Sequence, residues 1–394
     1  MGNTTQTCTA IKDGMQKNGK IRVLECIRQG QIGGGESHLL SLVENLDKSR
    51  FEPIVLSFTP GPMVDRLQKM GIETHVIYTT KPFNIFKWKQ VKKFIREKQV
   101  DLVHAHGTRA NSNVLWASKS LGIPVIYTVH GWSFHPDQKS FVRNMRIKGE
   151  QYLVTRTALN ISVSASNQQS GKNVIPAFES VVVNNGIDQQ KFNPANQYKN
   201  IRQELNIPED KLLLLFIARF TLHKQPLTLI QAFAKAIKEN ANMHLLMVGD
   251  GDQKEEAKQL IEQAGIGKHI TLETFRQDVP DVLASADVFI LPSLWEGLPI
   301  GLLEAMSMGK AIIASNVDGT REIIEHGVNG WLVQTDNLID NTSNAILELS
   351  KNADMRSTFQ QNAKSTVAKR FNAATMTRHI EDLYSDVLRK RSQN

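Results

Sequence analysis

The chain has 394 residues, too many for one ordinary hydrophobic core, so two domains are expected. With 41% hydrophobic and 22% charged residues it is globular, and its longest apolar stretch, Leu212 to Ala218, is far short of the ~20 residues that cross a membrane. A net charge of +8 favours anionic partners, and two cysteines give no disulfide framework and fit a reducing cytoplasm. No nucleic-acid-binding module is visible.

Residues 1–19 are polar, without the apolar centre of a signal peptide, and are expected to be a flexible extension. Short β-branched runs then alternate with amphipathic helical runs, the pattern of parallel α/β sheets. The spacing predicts strands at Ile21–Ile27, Pro53–Phe58, Thr74–Ile77, Leu102–Ala105, Val125–Val129 and Leu159–Val163. Between them, Asn84 to Lys98 reads as a basic helix with Ile85, Trp88, Val91 and Ile95 on one face. Such a helix either packs on the sheet with a solvated basic face or lies on anionic lipid; a second basic run, Lys139 to Lys148, adds to the lipid reading.

The series closes near Val181 to Gly186, and the polar stretch Asp188 to Lys199 reads as a linker. A second series follows at Leu212–Ala218, His244–Gly249, Ile270–Leu272, Val288–Leu291, Ala311–Ala314 and Gly330–Val333. The fold expected is α/β, with two doubly wound, Rossmann-like domains at 20–190 and 191–372 facing each other across a cleft. Ligands of such sheets sit at the carboxyl ends of the strands, which places the site in that cleft. Residues 373–394 read as a helix with Met376, Ile380, Leu383 and Val387 on one face.

The most informative run is Leu291 to Ala305, where Glu296 and Glu304 stand eight positions apart around a helix start. Pro299 suits the first helical position and Gly309 the C-terminal stop, so Glu304 lies ~7.5 Å along the axis. Free N–H groups at a helix start attract phosphate; Pro299 has none, which leaves Leu298, Ile300 and Gly301 as possible donors. Two flanking carboxylates suit a ligand that carries hydroxyls as well, such as a nucleotide sugar. Arg219 and Lys224 emerge from a strand end, placed to neutralise a diphosphate.

In the first half, Gly33-Gly34-Gly35 stands at a strand-to-helix turn, either for close approach of a ligand or as a tight connection. His130 ends the strand Val125–Val129, where α/β enzymes keep catalytic groups. His104 and His106 end another strand; with a turn at His106-Gly107, at most one is expected to line the cleft.

These motifs, with Gly309-Lys310, Ser315 to Gly319, Glu322 and Gly327 to Gly330, resemble glycosyltransferase family 4 over roughly residues 20–390. The resemblance implies the two-domain GT-B fold and transfer with retention of anomeric configuration. It makes Glu296 the carboxylate beside the reacting carbon and Glu304 the ribose ligand. By the same resemblance Arg219 and Lys224 take the diphosphate, Gly34 the loop facing the donor and His130 the cleft histidine. The terminal helix is implied to cross back to the first domain.

The activity expected is retaining transfer from a nucleoside diphosphate sugar, with uridine the likeliest base, to a saccharide or lipid-linked saccharide in cell-surface polysaccharide assembly. Neither cofactor nor metal is expected, because Arg219, Lys224 and the helix start carry the charge on the leaving group, and no Asp-x-Asp motif is read at a strand end to hold a metal. The expected location is the cytoplasm, peripheral on the inner face of the membrane. A sugar-nucleotide epimerase, a phosphorylase or a non-catalytic sugar-nucleotide-binding subunit are the rival readings.

Overall fold

The computed structural model describes residues 19–30, 33–135 and 138–393, so nearly all of the expected N-terminal extension, including Cys8, lies outside the described residues. The first sheet is formed by β1 (Ile21–Ile27), β2 (Phe51–Ser57), β3 (Glu73–Val76), β4 (Leu102–His106), β5 (Val125–Val129), β6 (Leu159–Ser162) and β7 (Val181–Val182). They run parallel in the order β3-β2-β1-β4-β5-β6-β7. The second sheet holds β8 (Leu212–Ile217), β9 (Met243–Val248), β10 (Ile270–Glu273), β11 (Val288–Leu291), β12 (Ala311–Ser315) and β13 (Trp331–Val333). Its order is β10-β9-β8-β11-β12-β13, again parallel.

Both sheets are doubly wound, and the continuous burial of their central strands follows from helices covering both faces. Each has its strand order reversing at one point, between β1 and β4 in the first and between β8 and β11 in the second. A crevice opens at such a reversal beyond the carboxyl ends. The glycine turn follows β1 and His106 ends β4, while Arg219 follows β8 and the Glu296 loop follows β11. The candidate residues therefore gather at the two reversal points.

Two segments cross between the sheets and are stitched to each other. Ile187 N–H donates to Phe371 O at 3.0 Å, and Ala373 N–H donates to Ile187 O at 3.0 Å. Gly186 is needed at this crossing, since a Cβ there would stand 2.6 Å from Asn372 O. The helix Ala373–Gln393 then packs Met376, Ile380, Tyr384 and Val387 against Val23, Leu102, Ile126 and Ile161 of the first sheet. Leu383, predicted for the buried face, is only partly buried, and Tyr384 takes the central place.

The helix Ile85–Glu97 departs from its predicted face. Val91 and Ile95 are buried, whereas Ile85 is 57% exposed and Phe86 88% exposed. Trp88 stacks on Trp116, with ring centroids 5.3 Å apart, rather than entering the core. The helix packs on the neighbouring helix Thr108–Lys119, which Trp88 meets through Trp116 while Ile85 and Phe86 stay outside. Among the described residues no helix is long and apolar enough to cross a membrane.

Candidate active site

The wall contributed by the second sheet is built from loops and a helix start. After β11 the chain runs through Ser293 to Pro299 into the helix Ile300–Ser307. Pro299 caps that helix with extended backbone (φ −72°, ψ 111°), so the helix opens one residue later than its sequence suggests. Gly309 stops it with φ 64°, a left-handed conformation that glycine adopts without strain. Leu298 and Ile300 bury their side chains, so their contribution to a ligand is the backbone N–H.

Three hydrogen bonds fix the loop. Gly319 N–H donates to Glu296 O at 3.2 Å, Ser164 Oγ to Gly297 O at 2.9 Å, and Asn185 Nδ2 to Leu298 O at 2.8 Å. Two of these donors belong to the first domain, so the loop is held across the cleft. Gly297 has no room for a side chain: a Cβ would come 2.2 Å from His130 O. Ser164 and Asn185 carried no signal in the sequence beyond a turn at Asn184-Asn185-Gly186.

Glu296 forms an ion pair with Lys224, and both side chains are largely buried. Arg219 is exposed, and its guanidinium makes no ion pair among the described residues. Glu304, five residues into its helix, stands apart from them: burial pushes its carboxyl up to about 7, opposed by the charge of Lys191. Its neighbour Lys191 is in turn pulled down by its own burial.

Trp295, beside Glu296, lies between two imidazoles. His135 from the first domain stacks on one face at 3.7 Å and His223 on the other at 4.1 Å, nearly parallel in both cases. Burial and the charges of Lys224 and Arg219 lower His223 to about 3, so it stacks as a neutral ring. Contrary to the expectation that no Asp-x-Asp motif stands at a strand end, Asp250-Gly251-Asp252 follows β9 in the second domain. Asp250 accepts the Phe275 N–H at 2.9 Å, and both carboxylates are exposed.

The opposing wall is built on strands. Helix Gly34–Asn45 starts at the glycine turn, with Gly34 exposed and nothing within 4 Å of a Cβ placed there. A Cβ at Gly35 would stand in ordinary contact with the His130 ring at 3.5 Å, so the turn brings the helix start against that ring. Behind that ring is a cluster of imidazoles. His130 and His106 are 3.1 Å apart through Nε2 and Nδ1, and His106 Nε2 is 2.9 Å from Glu25 Oε2. Tyr384 OH donates to Glu25 Oε1 at 2.8 Å and lies 2.6 Å from His104 Nδ1. His104 Nε2 is 2.7 Å from Thr128 Oγ1.

Neither His104 nor His106 opens onto the cleft, because β4 does not turn before His106. It continues between β1 and β5, in register with Glu25 and Ile27, and the carboxylate on β1 holds both imidazoles on one face. Glu25, His38 and Tyr384 are the residues that sequence reasoning missed here; Glu25 reads only as an interruption of the apolar strand Ile21–Ile27. Two groups, His38/His106/His130 and Glu25/His104/His106, bring possible metal-ligand atoms within 4.8 Å of one another.

Residues 197–366 match the family described as glycosyl transferases group 1, and residues 32–191 match glycosyltransferase family 4. The chain is a family 4 glycosyltransferase. Relatives of this glycosyltransferase span most of its length. It is 25% identical over 381 residues to the Escherichia coli UDP-Gal:alpha-D-GlcNAc-diphosphoundecaprenol alpha-1,3-galactosyltransferase, covering 94% of this chain and 98% of that one. It is 25% identical over 326 residues to the N-acetyl-alpha-D-glucosaminyl L-malate synthase of Bacillus anthracis, covering 82% and 84%. The crystal structure of HepE from Anabaena in complex with UDP-glucose superposes with a TM-score of 0.83 at 23% identity, over 93% of this chain and all of that one. The GT-B fold, two parallel α/β sheets meeting at a cleft, is shared.

Proposed function

We propose that this glycosyltransferase moves a hexose from a UDP-sugar to a lipid-linked saccharide, with retention of anomeric configuration and without a metal. The observation that carries the reading is the Lys224–Glu296 ion pair at the start of the helix Ile300–Ser307. A cation, a carboxylate and a helix N-terminus there meet in the crevice between two domains. In the resting site Lys224 neutralises Glu296; a diphosphate would draw the ammonium away and free the carboxylate for sugar hydroxyls. Arg219, without a carboxylate partner among the described residues, is the second cation for the phosphates. Leu298 and Ile300 supply backbone N–H groups, and Glu304 takes the ribose.

As the bond from the anomeric carbon to the diphosphate breaks, charge develops on the leaving oxygen, and preorganised cations lower that barrier. The acceptor oxygen bonds to the same face of that carbon. Its proton passes to the departing phosphate, so configuration is kept and no protein nucleophile is required. Glu304 must be ionised to accept two ribose hydroxyls, which ties donor binding to a pH above its value of about 7 or to a shift when the donor binds.

The surface of the first domain supports the choice of a lipid-linked acceptor. Phe86 (88% exposed), Ile85, Phe141 (75% exposed) and Met145 stand outward among Lys87, Lys89, Lys139 and Arg143. The two helices share one side of the first domain, where Phe83 packs against Gly149 and Tyr152. Apolar tips ringed by cations suit an anionic bilayer, which supports a peripheral position on the cytoplasmic face. A thermal-shift screen against nucleoside diphosphate sugars, followed by transfer assays, tests the reading. A rise with UDP-sugars and product of retained configuration is expected. Conversion of the donor without acceptor would make it an epimerase, and binding without transfer to any acceptor a binding subunit.

A further inference from the structure

The histidines behind the cleft form a chain whose polarity can be read end to end. Glu25 is wholly buried, and burial opposes its ionisation; the charge of His104 and the hydrogen bonds from His104 and His106 outweigh it and hold the carboxyl well below the usual range. An ionised carboxylate only accepts, so His106 carries its proton on Nε2 and donates to Glu25 Oε2. Burial first, then the charge of His104, lowers His106 to about 4, so near neutrality the ring is uncharged and its Nδ1 is a bare acceptor. His130 must then donate from Nε2 across the 3.1 Å contact. Its own affinity for a second proton is also depressed by burial and by the neighbouring imidazoles. What remains on His130 is the lone pair of Nδ1.

His38 supports the same direction. Asn185 donates through Nδ2 to Leu298 O, so its Oδ1 must accept, and His38 donates to it from Nδ1 at 2.9 Å. That leaves the buried His38 Nε2 as another lone pair with no partner among the described residues, beside His130 at a ring separation of 4.8 Å. No donor in the cluster therefore pushes His130 towards the opposite tautomer.

We propose that Glu25 and His106 are positioning residues that lock His130 as the Nε2–H tautomer, so that His130 meets a sugar hydroxyl through Nδ1 and not a phosphate oxygen. The hydroxyl is the chemistry that fits, because a lone pair attracts a donor and repels an anionic oxygen. The phosphates are left to Arg219 and Lys224 on the opposite wall. This assignment of the hydroxyl rests on the sugar-transfer reading above, whereas the tautomer stands without it.

Glu25→Gln inverts the chain. Tyr384 OH continues to donate to the side-chain oxygen, which turns the amide N–H groups towards His106. His106 must then accept at Nε2, donate from Nδ1, and drive the proton of His130 onto its own Nδ1. The cleft nitrogen changes from acceptor to donor, while the shape of the core is nearly unchanged.

The test uses the full-length protein labelled with 15N-histidine, with the ring nitrogens read by long-range proton–nitrogen NMR correlation. Wild type is expected to show His130 as a neutral Nε2–H tautomer, and Glu25→Gln as Nδ1–H. Adding Tyr384→Phe to Glu25→Gln frees the amide to turn its carbonyl to His106, and is expected to restore the original tautomer. With saturating acceptor, Glu25→Gln should lower kcat/KM for the donor roughly ten-fold. A donor lacking the hydroxyl that meets His130 should be used equally by both proteins. An Nδ1–H His130 in wild type, or an unchanged tautomer in a folded Glu25→Gln protein, overturns the proposal even if sugar transfer is intact. A ten-fold loss that is the same for every deoxygenated donor overturns the hydroxyl assignment. Absence of transfer alongside the expected tautomers would overturn the functional reading and leave the lock standing.

Discussion

The two walls of the cleft solve the placement of polar groups in opposite ways. On the second domain, Arg219, Lys224 and Glu296 sit on loops, and the largely buried ion pair between the last two can open only where ligand groups replace each partner. On the first domain, Glu25, His104 and His106 project from adjacent strands into a buried network in which every hydrogen bond constrains the next. Charge that must respond to a ligand stands on loops; polarity that must not change is wired into a sheet. The first arrangement acts by electrostatics and tolerates movement, the second by geometry and does not.

The largest expected effect breaks the wall built on loops. Lys224→Ala and Glu296→Gln should each lower transfer by about 100-fold or more with the thermal midpoint nearly unchanged, the size of losing a group that meets developing charge. Steady-state kinetics beside a melting curve checks this. Near-wild-type transfer by either folded variant would remove the electrostatic half of the comparison. Arg219→Ala, at an exposed position, should have a smaller effect and raise the KM for the donor more than it lowers kcat.

Glu304 gives a sharper test, with a sign that depends on pH. Its carboxyl sits near 7 when folded against an ordinary value of 4.5, so the folded state favours the protonated form. That contribution is full below pH 4.5 and is lost as pH rises through 7, leaving the ligand-free protein weakened above that by up to about 3 kcal/mol. Glu304→Gln should therefore stabilise the ligand-free enzyme at pH 8, make no difference below pH 4.5, and weaken donor binding. Denaturant unfolding at the two pH values reads it; a destabilised variant at pH 8 would mean that Glu304 is held by a partner charge.

The smallest effect concerns the outer surface of the first domain. Phe86→Ser and Phe141→Ser should leave transfer to a soluble acceptor unchanged and reduce sedimentation with anionic vesicles several-fold. Binding that ignored the anionic lipid content would sink the membrane assignment.

How much of this was legible in sequence differs between the walls for the same physical reason. The strands were readable because parallel central strands are apolar on both faces, and Val125–Val129 and Val288–Leu291 have the bounds that their composition predicts. The run from Glu296 to Glu304 was readable because a helix start with flanking carboxylates is a local pattern. The histidine network is not local: Glu25, His106, His130 and Tyr384 are scattered over the chain and meet only through strand register and the return of the last helix. The turn at His106-Gly107 was legible to within a residue, but the burial of both imidazoles was not, since nothing nearby announces a carboxylate on the neighbouring strand. Likewise, Ile85 lies on the apolar side of its helix by spacing, yet it stays outside the core.

Tyr384 has a consequence for how the enzyme comes into being. Both sheets are complete in sequence by Val333, yet the phenol that closes over Glu25 arrives some fifty residues later. During synthesis the first domain can form its strands while the carboxylate at their centre still lacks one of its donors. The cleft floor is finished only when the helix Ala373–Gln393 has left the ribosome and docked. A nascent chain of this enzyme thus has the strands of its first sheet before the buried network behind them is closed.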